Sequence, residues 1–362
     1  MRVAVDAMGG DLAPGAIVRG AVLARQHMGS GEVVLVGHRS RVETELAACQ
    51  GDLTGVRVEH ASQAIGMDEE APVKALRKNP DSSIWVCVRL AVEGQVDAMV
   101  SAGNTGAVVA AATMGLRLLP GVKRAGIAVG LPRAEGSTTL IDVGANIKCK
   151  PFHLYQYAVM GAVYTQCVLG VEQPRVGLLT VGEEVTKGND LINHAHRLMR
   201  ISGLNFVGNV EGRDIHSGLC DLVVCDGFTG NVVLKVCEGL GAGLLKSVLQ
   251  EVGGTVSEDV GQGDKPEADG RRREARAALD RLVARNDAAT YGGAPLLGIN
   301  GICIICHGRS DERATENAIK LVSTLDAGRV NERIVQDLES RGIKRWSGRW
   351  EGPGWKSAGR GT

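Results

Sequence analysis

A buried strand that ends in a polar, glycine-bearing turn and opens directly into a helix leaves backbone N–H groups facing whatever lies beyond it. Asp221-Leu-Val-Val-Cys-Asp226-Gly-Phe-Thr-Gly-Asn231 has that form, with a carboxylate, a hydroxyl and a carboxamide around the turn. An oxyanion is the natural occupant, because free N–H groups and the positive helix end both favour negative charge. Six more apolar runs end the same way, at Asp6-Ala-Met-Gly9-Gly10-Asp11, Ser101-Ala-Gly-Asn104-Thr105-Gly106, Asp142-Val-Gly-Ala-Asn146, Gly182-Glu-Glu184, Asn209-Val-Glu211-Gly-Arg-Asp214 and His307-Gly308. These turns are expected to converge on one site.

The segment Gly182-Glu-Glu-Val-Thr-Lys187-Gly188-Asn189-Asp190 adds the cation such a site needs. A lysine beside a glycine after a strand can reach a dianion as a point charge; the competing reading is a solvated loop lysine. Cys303 and Cys306 have the spacing of a metal or redox pair, but they sit in an apolar run with no second pair, which favours a buried core. His194 and His196 are two apart on a helix and point to different sides. His307 ends a strand and either bonds a substrate or is structural. No Walker lysine motif, G-x-S-x-G elbow or H-E-x-x-H pair is present, and Gly239-Leu-Gly241-Ala-Gly243 lies inside a helical pattern rather than after a strand.

The elements that must position these turns are legible as an alternation of short Val/Ile-rich runs with longer helical patterns, the signature of an α/β fold with a mostly parallel, doubly wound sheet. Strands are expected near Val3–Asp6, Val33–Gly37, Val56–Glu59, Ala98–Ser101, Gly126–Gly130, Thr138–Asp142, Arg175–Val181, Phe206–Val210, Leu222–Cys225 and Gly301–Cys306, with helices between them. In such sheets the ligand lies beyond the carboxyl ends of the strands. Residues 1–326 read as one large catalytic unit. Residues 231–290 are expected to form a hairpin-like helical excursion from it, with a mobile loop at 253–270, and 327–362 to be a C-terminal extension, disordered from about residue 341.

The chain has 362 residues, 44% of them hydrophobic, enough for a large core. Lys plus Arg and Asp plus Glu are 41 each, so no global field recruits nucleic acid or membrane. Nine cysteines, scattered through apolar strands (Cys87, Cys225, Cys303) and helices, fit a reducing compartment. With no signal-peptide pattern and no apolar run of the roughly 18 residues a span needs, a cytoplasmic location is expected. Arg271–Arg285 reads as a basic amphipathic helix. From Arg341 onward the chain carries three of its four tryptophans (Trp346, Trp350, Trp355) and six basic residues against Glu351.

As a set and in this order, the motifs closely resemble the bacterial phosphate acyltransferase family of phospholipid synthesis. They are Asp6-Ala-Met-Gly-Gly-Asp11, Ser101-Ala-Gly-Asn-Thr-Gly106, Asp142-Val-Gly-Ala-Asn146 with Cys149-Lys-Pro151, Gly182-Glu-Glu184 with Lys187-Gly-Asn189, Asn209-Val-Glu-Gly-Arg-Asp214, Cys225-Asp-Gly-Phe-Thr-Gly-Asn231 and Tyr291-Gly-Gly-Ala-Pro-Leu-Leu-Gly298. The similarity covers about Met1 to Asp326. It implies a Rossmann-like fold similar to phosphotransacetylases and isopropylmalate-type dehydrogenases, a homodimer, and no cofactor or metal. The implied reaction is acyl-acyl carrier protein plus inorganic phosphate giving acyl phosphate and free carrier protein.

On that resemblance Lys187 and Asn231 are the leading catalytic residues, with Asp226 and His307 as candidates for proton handling. Lys187 and the Asn104–Thr105–Gly106 turn would hold phosphate, and Asn146, Asn189 and Asn231 would orient it or the thioester carbonyl. Asp6, Gly9, Gly10 and Gly188 complete the expected substrate-binding set. Direct attack by phosphate needs no protein nucleophile; an acyl-Cys149 intermediate is the rival route. Acyl carrier proteins are acidic, which makes Arg271, Arg272, Arg273 and Arg276 the expected dock. Where family members commonly carry an apolar, membrane-touching hairpin tip, this chain has Gly253-Gly-Thr-Val-Ser-Glu-Asp-Val-Gly-Gln-Gly-Asp264. Only weak peripheral membrane contact, through the Trp/Arg tail, is then considered. The alternatives are a phosphotransacetylase-type enzyme using acyl-coenzyme A and a non-catalytic scaffold that binds carrier protein or senses lipid.

Overall fold

The computed structural model describes residues 1–258, 292–325 and 327–341. The first half of the chain runs β1 (Arg2–Asp6), α1 (Gly15–Arg25), β2 (Glu32–Gly37), α2 (Arg39–Ala48), β3 (Val56–His60), α3 (Pro72–Lys78), α4 (Ser83–Val92), β4 (Ala98–Ser101), α5 (Thr105–Gly115), β5 (Gly126–Pro132) and β6 (Ser137–Ile141). There follow α6 (Pro151–Leu169), β7 (Val176–Leu179), α7 (Asp190–Arg200), β8 (Phe206–Val210), a 3₁₀ turn (Gly212–His216), β9 (Leu222–Val224) and α8 (Gly227–Glu258). The last described elements are β10 (Ala294–Leu297), β11 (Ile302–Ile305), α9 (Glu312–Thr324) and α10 (Ala327–Ser340).

The described strands form one sheet of eleven, in the order β3-β2-β1-β4-β11-β10-β5-β6-β9-β7-β8. Side chains along each strand alternate between two core layers, as the two-residue period of a strand requires. Val3 and Val5 join Ile17 of α1, Leu154 of α6 and Ile319 of α9 on one face, while Ala4 joins Leu76 of α3, Ile84 of α4 and Val108 of α5 on the other. With both faces covered, the parallel strands read as continuous apolar runs. The doubly wound, mostly parallel α/β class expected from the sequence is the fold observed.

Strand direction divides the polar turns between two sets of strands. β1, β2, β3, β4 and β11 are mutually parallel. So are β6, β9, β7 and β8. Between the two sets, β11 to β10, β10 to β5 and β5 to β6 are all antiparallel. Three reversals leave the second set running opposite to the first, so the polar turns fall into two groups rather than one.

Other departures are local. Ser83–Val92, whose Ile84-Trp-Val-Cys-Val run has strand propensity, forms helix α4, so Cys87 lies in a helix rather than a strand. Burial of Ile84, Val86, Cys87, Val88 and Leu90 overrides that propensity. Helix α8 continues to Glu258, six residues into the expected loop 253–270. Two glycines cost about 1 kcal/mol each inside a helix, which does not stop one already nucleated upstream. The rest of that loop, the Arg271–Arg285 helix and the tail after Arg341 lie outside the described residues. α10, part of the expected extension, buries Val330, Ile334 and Leu338 in the same core as α6. Cys303 and Cys306 are buried. No described helix is long and apolar enough to cross a membrane.

Candidate active site

The first group of turns closes around Asp6, fully buried at the end of β1. Its Oδ2 accepts from Ser101 Oγ at 2.7 Å, its Oδ1 accepts from Met8 N at 3.2 Å, and Ser101 Oγ accepts from Gly103 N at 3.1 Å. Burial pushes this carboxyl above its ordinary range, opposed by the Ser83 and Ser101 hydroxyls and the Met8 and Gly9 amides. A Cβ on Gly9 would stand 2.6 Å from both Asp6 Oδ2 and Gly103 N, so only glycine allows the two turns to meet. Gly10 belongs to the same contact, with Asp11 N donating to Gly308 O at 2.7 Å.

Asn104 caps α5. Its Oδ1 accepts from Ala107 N at 3.1 Å, and its Nδ2 donates to Met67 O at 3.1 Å and Glu69 O at 3.2 Å. The carboxamide is thus taken up by the fold, and what this turn offers a ligand is the N–H groups of Thr105 and Gly106, both exposed in the first helical turn. His307 is exposed beyond β11, its Nδ1 accepting from Arg309 N at 3.1 Å.

The second group is organised by Asp142, which nothing in the sequence sets apart from the rest of its motif. Fully buried after β6, its Oδ1 accepts from the N–H groups of Ile127 (3.0 Å), Gly144 (3.1 Å) and Ala145 (2.9 Å), and its Oδ2 from Asn146 N (2.8 Å). Asn146 Nδ2 donates to Ala125 O at 2.6 Å and Tyr157 Oη at 2.8 Å, and Gly227 N donates to Asn146 O at 3.0 Å. A Cβ on Gly230 would stand 2.0 Å from Asp142 O, so α8 starts with its backbone against this turn. Asp226 caps α8, accepting from Phe228 N and Thr229 N at 3.0 Å each and from Thr229 Oγ1 at 2.8 Å. Its carboxylate is committed to that cap. Asn231 lies one turn further on, with its Nδ2 over Gly144.

Cys149 adjoins this group, its Sγ 3.5 Å from Asn146 O and 3.8 Å from Tyr157 Oη. Burial pushes its thiol up to about 11. A thiol in that state is a poor resting nucleophile at neutral pH.

The loop after β7 carries Lys187, exposed and without an ion pair among the described residues. Its stem lies over Gly182, where a Cβ would stand 2.9 Å from Lys187 Cγ. Gly188 has φ 104°, and a Cβ there would stand 2.9 Å from Thr180 Oγ1. Asn189 caps α7, its Oδ1 accepting from Ile192 N at 3.1 Å. Beneath the loop, Thr180 Oγ1 and Asn209 Oδ1 are buried without a hydrogen-bond partner among the described residues. Leaving such atoms unmet costs about 1–3 kcal/mol each, so a ligand or water is the expected partner. Thr180 was not singled out in the sequence; its only signal there was a hydroxyl at the end of an apolar strand.

The motifs and the order in which the fold presents them have close relatives. A family model described as "Fatty acid synthesis protein" matches residues 1–333. The chain is 44% identical over 345 residues to the phosphate acyltransferase of Pelotomaculum thermopropionicum, covering 95% of this chain and 97% of that one. It is 43% identical over 340 residues to that of Geobacter sulfurreducens, covering 94% and 95%. The chain belongs to the phosphate acyltransferase family. The chain shares its fold with a phosphotransacetylase from Streptococcus pyogenes (TM-score 0.56, 17% identity, 94% of each chain). It shares it also with a 4-hydroxythreonine-4-phosphate dehydrogenase from Klebsiella pneumoniae (TM-score 0.51, 15% identity, 89% of this chain and 98% of that one). At these identities the likeness is one of fold alone.

As a member of that family the chain is a transferase, and the family's chemistry is acyl transfer to phosphate. Its fold brings Asn146, Asp226 and Asn231 together beside β6 and β9, and Lys187, Gly188 and Asn189 together beside the neighbouring β7. Asp6, Gly9, Gly10, Asn104, Thr105, Gly106 and His307 gather at the ends of the oppositely running strands. Among the described residues no three His, Cys, Asp or Glu side chains are grouped to hold a metal ion. The expected docking residues Arg271, Arg272, Arg273 and Arg276 lie outside the described residues.

Proposed function

We propose that this enzyme transfers a long-chain fatty acyl group from acyl-acyl carrier protein to inorganic phosphate, by direct attack of phosphate on the thioester in a ternary complex. The observation that carries the reading is the exposed Lys187, without an ion pair among the described residues, next to Gly188, against which lies the buried Thr180 hydroxyl, without a partner among those residues. A dianion entering there gains a cation, a hydroxyl donor and the N-terminal end of α7 together. Asn231, whose carboxamide has no role in capping a helix, orients the phosphate or the thioester carbonyl. Asn146 and Asp226 act through the backbone they hold in place.

The amides of Thr105 and Gly106 meet the substrate from the other strand set. Between β4 and β6 lie four steps of the sheet. At roughly 20–25° of twist per step, four steps would turn one set about 80–100° from the other, which would leave room for one substrate to touch both. His307 is then the side chain available for handling a proton, since Asp226 is committed to its cap.

Attack on a thioester needs an anion cradle, a cation to offset phosphate repulsion, and donors for the developing oxyanion. The high thiol pKa of Cys149 supports direct transfer over an acyl-enzyme. In this reading the acidic carrier protein docks on Arg271, Arg272, Arg273 and Arg276, and the enzyme works as a cytoplasmic homodimer. Initial rates with palmitoyl-acyl carrier protein and palmitoyl-coenzyme A at equal concentration test the donor. A preference for the carrier-bound thioester that weakens with salt is expected; equal rates would move the coenzyme A reading to the front.

A further inference from the structure

Outside the candidate site, one thiol has a base positioned against it. Cys237 of α8 is half-buried, and its Sγ lies 3.5 Å from Nε2 of the exposed His216, at the end of the 3₁₀ turn. His216 Nδ1 is 2.8 Å from the carbonyl oxygen of Pro132 in β5. A carbonyl only accepts, so Nδ1 carries the proton. With the Nδ1 proton so held, Nε2 is the ring nitrogen that faces the thiol and can accept from it. Nucleophile, base and a third group that fixes the base form the arrangement by which a thiol is activated in place.

Burial, followed by the charge of Glu238, raises the Cys237 pKa. The resting form is thus the thiol, and attack requires the proton to leave as the bond forms, which a hydrogen-bonded imidazole permits. Two exposed apolar side chains follow on the same helical face, Leu240 and Leu244, three and seven residues further along α8 and 59% exposed each. Cys237 lies ten residues beyond Gly227, about 15 Å along the helix that begins beside Asn231.

We propose that Cys237 is a modification site that takes up acyl groups from acyl phosphate, with His216 as its general base and the Leu240–Leu244 face receiving the chain. Sγ bonds to the acyl carbonyl carbon, the carbon–oxygen bond to phosphate breaks, and the thiol proton passes to Nε2 and on to the departing phosphate. The products are a Cys237 thioester and inorganic phosphate, with no oxidant or reductant. The inference rests on the proposed function only for the source of the donor in the cell.

Supplying octanoyl phosphate ready-made to the purified full-length chain separates the two. Peptide mass spectrometry would follow hydroxylamine-labile octanoylation of Cys237, with the half-buried Cys167 of α6 as the internal comparator. Cys237 is expected to acylate at least ten times faster than Cys167, and H216Q to abolish that advantage while turnover of thioester and phosphate is unchanged. Equal labelling of the two cysteines in the wild-type chain, or an H216Q rate equal to wild type, would overturn the proposal.

Discussion

The carboxamide of Asn231 rests on Gly144, where a Cβ would stand 3.0 Å from Asn231 Nδ2. Gly144 itself has φ 143°, a conformation that suits glycine. Gly144→Ala is therefore expected to push the Asn231 side chain aside. Turnover should fall by more than tenfold, with a loss of about 1–3 kcal/mol in stability from backbone strain. Steady-state kinetics and urea unfolding would separate the two effects. Unchanged turnover would remove Asn231 from the reacting groups.

Thr180→Val keeps the shape of the side chain and deletes the unpartnered hydroxyl. If that hydroxyl serves phosphate, the KM for phosphate should rise about tenfold, as for a lost hydrogen bond of about 1.5 kcal/mol to a charged group. Melting temperature should hold or rise, because a buried polar atom without a partner has been removed. A variant with normal phosphate kinetics would assign Thr180 to the core.

Cys149→Ser should retain at least half of the wild-type rate. Its Sγ contacts are with the Asn146 carbonyl and the Tyr157 hydroxyl, and its thiol is held near 11 by burial. Loss of all but trace activity in a folded variant would restore the acyl-cysteine route.

Asp221 gives a pH dependence with a definite sign. Burial raises its pKa, but hydrogen bonds from Arg175 and Arg133 outweigh that and hold it at about 2, below its ordinary 3.8. A depressed carboxyl contributes stability above its unfolded pKa and loses it as pH falls through the folded value. That contribution should fade between pH 3.8 and about 2. Arg175→Ala is expected to move the acid-unfolding midpoint, followed by circular dichroism, toward higher pH. An unmoved midpoint would mean that the Arg175–Asp221 pair, 2.9 Å apart, adds nothing net.

Most of the architecture was legible because strands covered on both faces cannot hide: Val33–Gly37 and Leu222–Cys225 read as apolar runs whatever surrounds them. Three elements were not, namely α4, β10 and α10. The Ile84-Trp-Val-Cys-Val run has the composition of a strand, and only its packing makes it a helix. β10 is four residues long with a proline at its second position, a pattern that argues against a strand until antiparallel partners are present on both sides.

Residue types at the site were equally legible, whereas their duties were not. Asn104, Asp226 and Asn189 are the polar groups expected at such turns, yet each caps a helix, because a side chain just ahead of a helix meets its free N–H groups first. Asp142 escaped selection because its importance lies in four backbone donors that are spread from Ile127 to Asn146. The opposite sense of the two strand sets depends on β5, β6 and β10, and no motif in the turns themselves reports it.

The central claim is that phosphate itself attacks the thioester at the Lys187 loop. The most direct measurement incubates wild-type enzyme and Lys187→Met with palmitoyl-acyl carrier protein, with and without inorganic phosphate, and traps acyl phosphate as the hydroxamate. Carrier release and hydroxamate should form together, only with phosphate present, and Lys187→Met should lower kcat/KM for phosphate by about 10- to 100-fold, as for a lost charged hydrogen bond. Carrier release without phosphate, or a Lys187→Met enzyme with wild-type phosphate kinetics, would contradict the account.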